Sequence, residues 1–491
     1  MSGPTLEGFI EELDTLTGAP VLMRDFYKAT DIGNAERFVD RYGDTVRYCA
    51  ELTTWYIWEG RYWRPDTTLK IRQYAKATAL HIIEEVDRVR MPDKKEEKAA
   101  QIELVKWAHK SQNQQRLSAM LYLAESDERI ALNASAFDSD PFLFTVQNGT
   151  LDLRLGADEL LRDFKREDLI TKIAPVAYAD TAYSPEWQTR LKEVLGDEQA
   201  AFLQRACGMA LTGVNEDKAL FVLYGRANTR KSTMLEPIFK TFGDYARPVN
   251  ISLFARSMQR AGGARADLVS LDGVRAAQCS EVPRGMKFND AFMKAVTSEN
   301  PQAARGLYET RERKIRPQTK FFIETNFLPE IHFDDDASFN RFHITQFLNA
   351  IDLDDCDPSI KRFLLNDEET QDAIFRWIVD GCLDWQESGL KPPSSVNAAR
   401  VEYQRSMNPL APFLENECVI EEGAEVTTKV LWERFDAVAT FDEHQAVKDE
   451  RAFGMYLTQS KFENVKRSGK RTRLGIRLKT LQEHDAEDEN L

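Results

Sequence analysis

ALFVLYGRANTRKSTMLEPIFKTF, residues 219–242, decides the fold. The opening ALFVLY is an apolar run of strand length, Gly225 ends it, and Lys231-Ser232-Thr233 starts a helix-forming segment. A strand that turns through glycine into a Lys-Ser helix start makes a phosphate-binding loop, because backbone N–H groups and the helix N-terminus converge on phosphate oxygens. The nucleotide-binding set is then Gly225, Asn228, Thr229, Arg230, Lys231, Ser232 and Thr233. Lys231 reaches the β/γ-phosphates of ATP and the Ser232 hydroxyl ligates Mg²⁺. The pattern GxxxxGK[ST] asks for glycine at position 230, where this chain has Arg230. Glycine suits that position because it accepts unusual backbone angles and lets the chain approach the phosphate. Two readings stand, a working loop that carries a strained arginine and a degenerate loop.

Working outward, short apolar runs alternate with helix-period segments from 218 to about 347, the pattern of an α/β domain. DGVRAAQCSE (272–281) reads as a strand ending in Glu281, placed to hold the Mg²⁺ shell and polarise the attacking water. KFFIE (320–324) is a second strand, followed by TNFLP, with Asn326 placed to touch a γ-phosphate or the water. DASFNRFHITQF (336–347) sets Arg341 just before another apolar run, where it completes a neighbouring subunit's site as a finger.

The order of these landmarks, together with FMKAVTSENPQAARGLY (292–308), resembles the superfamily 3 helicases, and within them the phage, plasmid and poxvirus-type primase-helicases. DIGNAERFVDRYGDTVRY (31–48), WYIWEGRYW (55–63) and DPFLFTVQNGTLDL (140–153) are similar to the part that precedes the ATPase in that family. The resemblance implies Lys231 and Ser232 on nucleotide and Mg²⁺, Glu281 as the Walker B acid, Asn326 as sensor and Arg341 as a finger acting in trans within a hexameric ring. It also sets Lys294 and Arg305 on basic positions of the intermediate motif. Thr297-Ser298-Glu299-Asn300 stands where the family has Thr-Gly-Gly-Asp, a second departure beside Arg230.

Positive charge is concentrated in two stretches. RGLYETRERKIRPQTK (305–320) holds Arg305, Arg311, Arg313 and Lys314, and the resemblance places it in a hairpin whose tip enters a channel for single-stranded or forked DNA. From the residues alone it reads first as a solvated hairpin with Arg/Glu pairs. VKRSGKRTRLGIRLK (465–479) reads as a hairpin around Ser468-Gly469 with Lys466, Arg467, Lys470, Arg471 and Arg473, and two helical segments (427–435 and 450–462) precede it. That pattern resembles a winged helix, either binding DNA or docking protein.

The expected architecture is an α/β AAA+-like ATPase core with a mixed α+β N-terminal region and a C-terminal winged-helix domain. Its parts are an N-terminal region over 1–155, a helical collar for oligomerisation over 156–215, the ATPase over 216–388, a linker over 389–412, the winged helix over 413–480 and an acidic tail over 481–491. With 491 residues, 42% hydrophobic and 30% charged, the chain is an ordinary globular protein of about three domains. The six cysteines have no CxxC spacing, which excludes a zinc site of that kind and reads as reduced cytoplasmic thiols. Residues 1–20 carry acids where a signal peptide needs positive charge, so no export and no membrane span are expected. The net charge of −15 argues against a uniformly basic binder, yet binding follows local charge. The function expected is an ATP-dependent, ring-forming helicase of phage or mobile-element replication, with any primase on another chain. The alternatives are a DNA-binding loader with weak turnover and a nucleotide switch.

Overall fold

The computed structural model describes residues 27–157, 159–256, 265–306, 312–332, 335–350, 357–467, 469–480 and 482–483. Thr30 caps α1 (Asp31–Tyr42), its hydroxyl accepting from the Gly33 N–H. The helix buries Phe38 and Tyr42 against a sheet of β1 (Val46–Cys49), β2 (Thr54–Trp58), β3 (Trp63–Pro65) and β4 (Ala131–Leu132), in the order β3-β2-β1-β4. WYIWEGRYW forms the expected pair of short strands, with Gly60 at φ +84 in the connection. Helices α2 (Lys70–His81), α3 (Lys94–Ser111) and α4 (Gln114–Ala124) pack around α1, and Tyr42 stacks on Tyr74 at 4.5 Å.

DPFLFTVQNGTLDL folds into β5 (Leu143–Val146) and β6 (Gly149–Asp152), joined by β7 (Leu161–Arg162). Gly149 pairs with Val146 inside the ladder; a Cβ there would lie 2.6 Å from the Arg162 carbonyl, so the glycine lets β7 approach. Phe144 stacks on Tyr245 at 4.0 Å and on Phe375 at 5.7 Å, and one continuous core joins it to the helices of the central domain. The expected boundary at 155 and the separate collar over 156–215 therefore need correction. Both stretches are apolar on surfaces that only the central domain covers, and they pack as part of it.

The centre is a five-stranded parallel sheet, order β14-β8-β13-β10-β9, made of β8 (Leu220–Tyr224), β9 (Ala246–Asn250), β10 (Ala276–Ser280), β13 (Lys320–Thr325) and β14 (Phe342–Gln346). Alternation along the strands serves two cores, as expected of a parallel sheet covered on both faces. Phe221, Leu223 and Phe322 face α5 (Pro185–Met209), α6 (Lys231–Phe242) and α9 (Glu368–Ser388). Leu220, Val222, Phe321 and Ile323 face α7 (Asp290–Val296) and α10 (Ser394–Ser406). Between the two great helices the backbones nearly touch: a Cβ on Gly208 would lie 2.0 Å from the Cys382 nitrogen, and one on Gly381 2.2 Å from the Gln204 carbonyl. A short antiparallel hairpin, β11 (Gln302–Ala304) with β12 (Arg313–Ile315), projects before β13; α8 (Pro358–Asn366) precedes α9.

The expected linker over 389–412 is also corrected. Its Pro- and Ser-rich start is the entry to α10, whose Val396, Ala399 and Tyr403 are buried, and the Tyr403 hydroxyl donates to the Pro329 carbonyl. Pro and Ser mark helix starts as well as linkers. Beyond it, β15 (Cys418–Thr427), α11 (Thr428–Val438), α12 (Phe441–Ala446), α13 (Glu450–Gln459), β16 (Asn464–Arg467) and β17 (Lys470–Leu478) enclose their own core around Leu431, Phe435, Phe453 and Leu457. Among the described residues no helix is long and apolar enough to cross a membrane. The acidic tail lies mostly outside the described residues.

His343 on β14 sits against Phe202 and Phe221, with ring centroids at 5.8 and 5.7 Å. Burial pushes its imidazole down to about 4 from 6.5, and the Arg400 charge acts the same way. The unfolded chain takes up this proton at pH values where the fold refuses it. The site's contribution is therefore intact above pH 6.5 and is lost as pH falls towards 4, about 3 kcal/mol in all. In His343→Gln the drop in Tm between pH 7 and 4.5 should be shallower than in wild type; equal slopes would refute the assignment.

Candidate nucleotide-binding site

β8 delivers Gly225 under the Phe347 carbonyl, which a Cβ would approach to 2.4 Å. After it, Asn228 (φ 60) and Arg230 (φ 64, ψ 16) adopt left-handed backbone, and α6 starts at Lys231 with Arg230 as its N-cap. Arg230 thus holds the conformation for which glycine is favoured, at a cost of roughly 1–2 kcal/mol for a side-chain-bearing residue. The glycine missing from the pattern is replaced in conformation. Arg230→Gly relieves that strain but adds about 0.4–1 kcal/mol of unfolded-chain entropy, so its Tm should stay near wild type. Arg230→Val places a β-branched residue at positive φ and should lose about 1–3 kcal/mol in thermal melts.

Lys231 is 6% exposed, and its ammonium donates to the carbonyls of Gly225 (2.7 Å) and Arg226 (2.8 Å), to the Thr229 hydroxyl (3.2 Å) and to Asn326 Oδ1 (3.0 Å). Burial lowers its pKa, and the Glu324 carboxylate opposes that shift. Asn326 leaves the end of β13, and Glu281 the end of β10. Glu281 has φ 61 and its N–H donates to the Glu324 carbonyl at 3.2 Å. These groups, with Ser232 and Thr233, line one cleft of about 430 Å³ at the carboxyl ends of the strands, where open α/β sheets bind ligands.

Sequence reasoning missed Glu324, although it is the acid that closes the run KFFIE. It lines the same cleft and is half-buried, and burial raises its pKa while Lys231 lowers it. Ser232 and Glu281 offer oxygen donors of the kind Mg²⁺ takes, and Mg²⁺ binds through one or two carboxylates plus phosphates and water. The donor set therefore fits that ion.

Arg341 lies elsewhere. It shares a concavity of about 490 Å³ with Lys218, Lys294 and Glu299, and the residues lining it are distinct from those of the Lys231 cleft. Its Nε donates to the Thr297 hydroxyl at 3.1 Å and a terminal nitrogen to the Ala337 carbonyl, and burial lowers its pKa. Thr297, the one residue of this stretch that agrees with Thr-Gly-Gly-Asp, is thus the residue that aims Arg341.

The basic residues divide. Lys294, on α7, pairs with Asp335 and shares the concavity of Arg341. Arg313 is committed to Asp272, Lys314 is exposed on β12, Arg305 is half-buried after β11, and Arg311 lies outside the described residues. In the C-terminal hairpin Lys466, Arg467, Lys470 and Arg471 are exposed, with Arg467 paired to Glu425. Arg473 is corrected: it is 2% exposed and its guanidinium donates to the carbonyls of Gly454 (2.6 Å) and Phe462 (3.0 Å) and the hydroxyl of Thr458 (2.8 Å). These bonds hold it inward, where it ties α13 to β17 and is closed to DNA.

Residues 35–196 match the family model described as D5 N terminal like. The matched stretch begins within α1, runs through β7 and reaches into α5. A "Putative helicase" of Acanthamoeba polyphaga mimivirus is 28% identical over 217 residues, 43% of this chain and 22% of that protein. Another "Putative helicase", of Frog virus 3, is 22% identical over 360 residues, 57% of this chain and 36% of its own length. The chain thus spans well under half the length of these relatives, and the resemblance to the primase-helicases stands. The apo structure of the NrS-1 C terminal region aligns with a TM-score of 0.46 at 11% identity, over 88% of this chain and 96% of that one.

Proposed function

We propose that this protein is an ATP-driven DNA helicase of the superfamily 3 type, an AAA+-like ring that works in viral or mobile-element replication and moves on single-stranded DNA. The observation that carries it is the meeting of Lys231, Ser232, Glu281 and Asn326 in one cleft, with Arg341 in another. An arginine kept out of its own nucleotide cleft suits a finger that completes a neighbour's site, which requires a closed homo-oligomer, most simply a hexamer.

In this reading Lys231 gives up its carbonyl and hydroxyl partners to the β/γ-phosphates, and the loop N–H groups hold the phosphate chain. Ser232 and Glu281 would hold Mg²⁺, which neutralises charge on the transferring phosphoryl group. Asn326 and Glu281 orient the attacking water, and Arg341 of the adjacent subunit meets the charge that develops. The left-handed Arg230 favours this over the loader and switch alternatives, since the loop keeps its geometry.

The C-terminal unit, one strand, three helices and a two-stranded hairpin, has the order of a winged helix, and the exposed Lys466, Lys470 and Arg471 suit contact with DNA phosphates. Exchanging these three for Gln should weaken DNA binding uniformly across sequences and reduce the salt slope by about 2–3. An unchanged slope removes DNA from the hairpin. The whole reading is tested by DNA-stimulated ATPase and strand displacement with the intact protein. Absence of both in a preparation that binds ATP overturns the helicase reading in favour of a switch.

A further inference from the structure

Phosphoryl transfer to water needs two services from carboxylates or their equivalents: one group holds the Mg²⁺ shell and another aligns the water. β10 ends in Ser280-Glu281 and supplies a single acid, which leaves the strand at φ 61 with its side chain exposed. The neighbouring strand holds another. In the parallel register Ser280 stands opposite Glu324. Strand alternation puts Glu324 on the face of Phe322, which packs edge-on to Phe239 of α6 at 5.5 Å. Two residues beyond Phe322, towards the carboxyl end of β13, Glu324 lines the same cleft as Lys231 and Ser232 at the start of α6.

Its setting is unusual for a structural acid. Glu324 is half-buried and bonds the Gln278 side chain, while Lys231 acts on it as a charge without forming an ion pair among the described residues. Conversely, Glu324 is the carboxylate whose charge acts on Lys231. Lys361 acts on it in the same way as Lys231, and a half-buried carboxylate served by cations at a distance is further stabilised by one that binds it directly. Once Lys231 moves to phosphate, the cleft floor is acidic and open to the metal.

Resting on the nucleotide-hydrolysis reading above, we infer that Glu324 holds the water shell of the nucleotide-bound Mg²⁺, doing from β13 what Ser280 cannot do from β10, and so leaves Glu281 to align the attacking water.

The test measures binding as well as turnover. Affinity for a fluorescent ADP is titrated with Mg²⁺ and with EDTA, in wild type, Glu324→Gln and Glu281→Gln. Glu324→Gln keeps the side-chain volume and its bond to Gln278. It should retain metal-free nucleotide affinity but lose about tenfold or more of the tightening by Mg²⁺. Glu281→Gln should lose turnover, with a smaller loss of the Mg²⁺ effect than Glu324→Gln. In Ser280→Asp/Glu324→Gln, a carboxylate returned to the facing position should restore the Mg²⁺ effect, which a merely structural role for Glu324 would not allow. Wild-type Mg²⁺ dependence in a folded Glu324→Gln protein overturns the inference while leaving the nucleotide site intact. Failure of the wild type to bind nucleotide at all overturns the underlying reading instead.

Discussion

Arg341→Ala should lower ATP turnover by about 10³-fold or more, the effect expected for an arginine that meets transferring phosphoryl charge, with little change in nucleotide affinity. The separation of effects follows from position. Arg341 shares its concavity with Lys218 and Lys294, not with Lys231, so its loss leaves the subunit's own cleft complete. The guanidinium is already held by the Thr297 hydroxyl and the Ala337 carbonyl, which fixes its aim before a neighbour arrives. Preorganisation of this kind is what makes a charge effective in a transition state. Mixing inactive Arg341→Ala subunits with inactive Lys231→Ala subunits should restore activity. At equal amounts about a quarter of the interfaces join an intact Lys231 to an intact Arg341 in a head-to-tail ring. Stable mixed rings with no recovery would refute action in trans.

Lys231→Ala should reduce turnover by about 10²–10³-fold, and weaken nucleotide binding as well, because one ammonium serves both ground and transition states. It should also lower stability. The ammonium satisfies the Gly225 and Arg226 carbonyls, the Thr229 hydroxyl and Asn326 Oδ1 at a site where Lys231 is 6% exposed. Removing it leaves acceptors unpaired, at about 1–3 kcal/mol. With saturating nucleotide the wild type gains stability by mass action and the variant gains less, so the gap in Tm should widen on adding ATP. Steady-state ATPase and thermal melts with and without nucleotide decide the matter. An unaltered ATPase would remove Lys231, and hydrolysis at this cleft, from consideration.

Glu324 and Arg473 mark where one-dimensional reading ends. Glu324 was visible as the last residue of an apolar run, but an acid closing a strand is ordinary, and only the fold places it opposite Ser280 and in the cleft with Lys231. Arg473 stood in a run of basic residues whose composition says DNA. Arg471 is exposed and Arg473, two residues on, is buried against carbonyls of α13 and the turn after it, partners that the basic run does not reveal. Arg313 and Lys294 are likewise committed to Asp272 and Asp335, partners 41 residues away in each case. The segment 389–412 misled in the other direction: proline and serine there begin a helix that the sheet covers.

The chain's sequence alone determined the central motif. A six-residue apolar run before Gly225, the Lys-Ser-Thr helix start and the two apolar strands after it depend on neighbours in sequence, and local periodicity carries that information. It likewise predicted the aromatic strands around Gly60 and the C-terminal helices and hairpin. Tertiary structure alone decided which acid faces the phosphate loop, which cleft Arg341 enters, which arginines are closed to DNA, and that residues 143–160 share a core with Phe242 and Phe375. Each of these turns on packing between segments far apart in the chain, and the side-chain pattern of one segment is silent about the partner that will cover it.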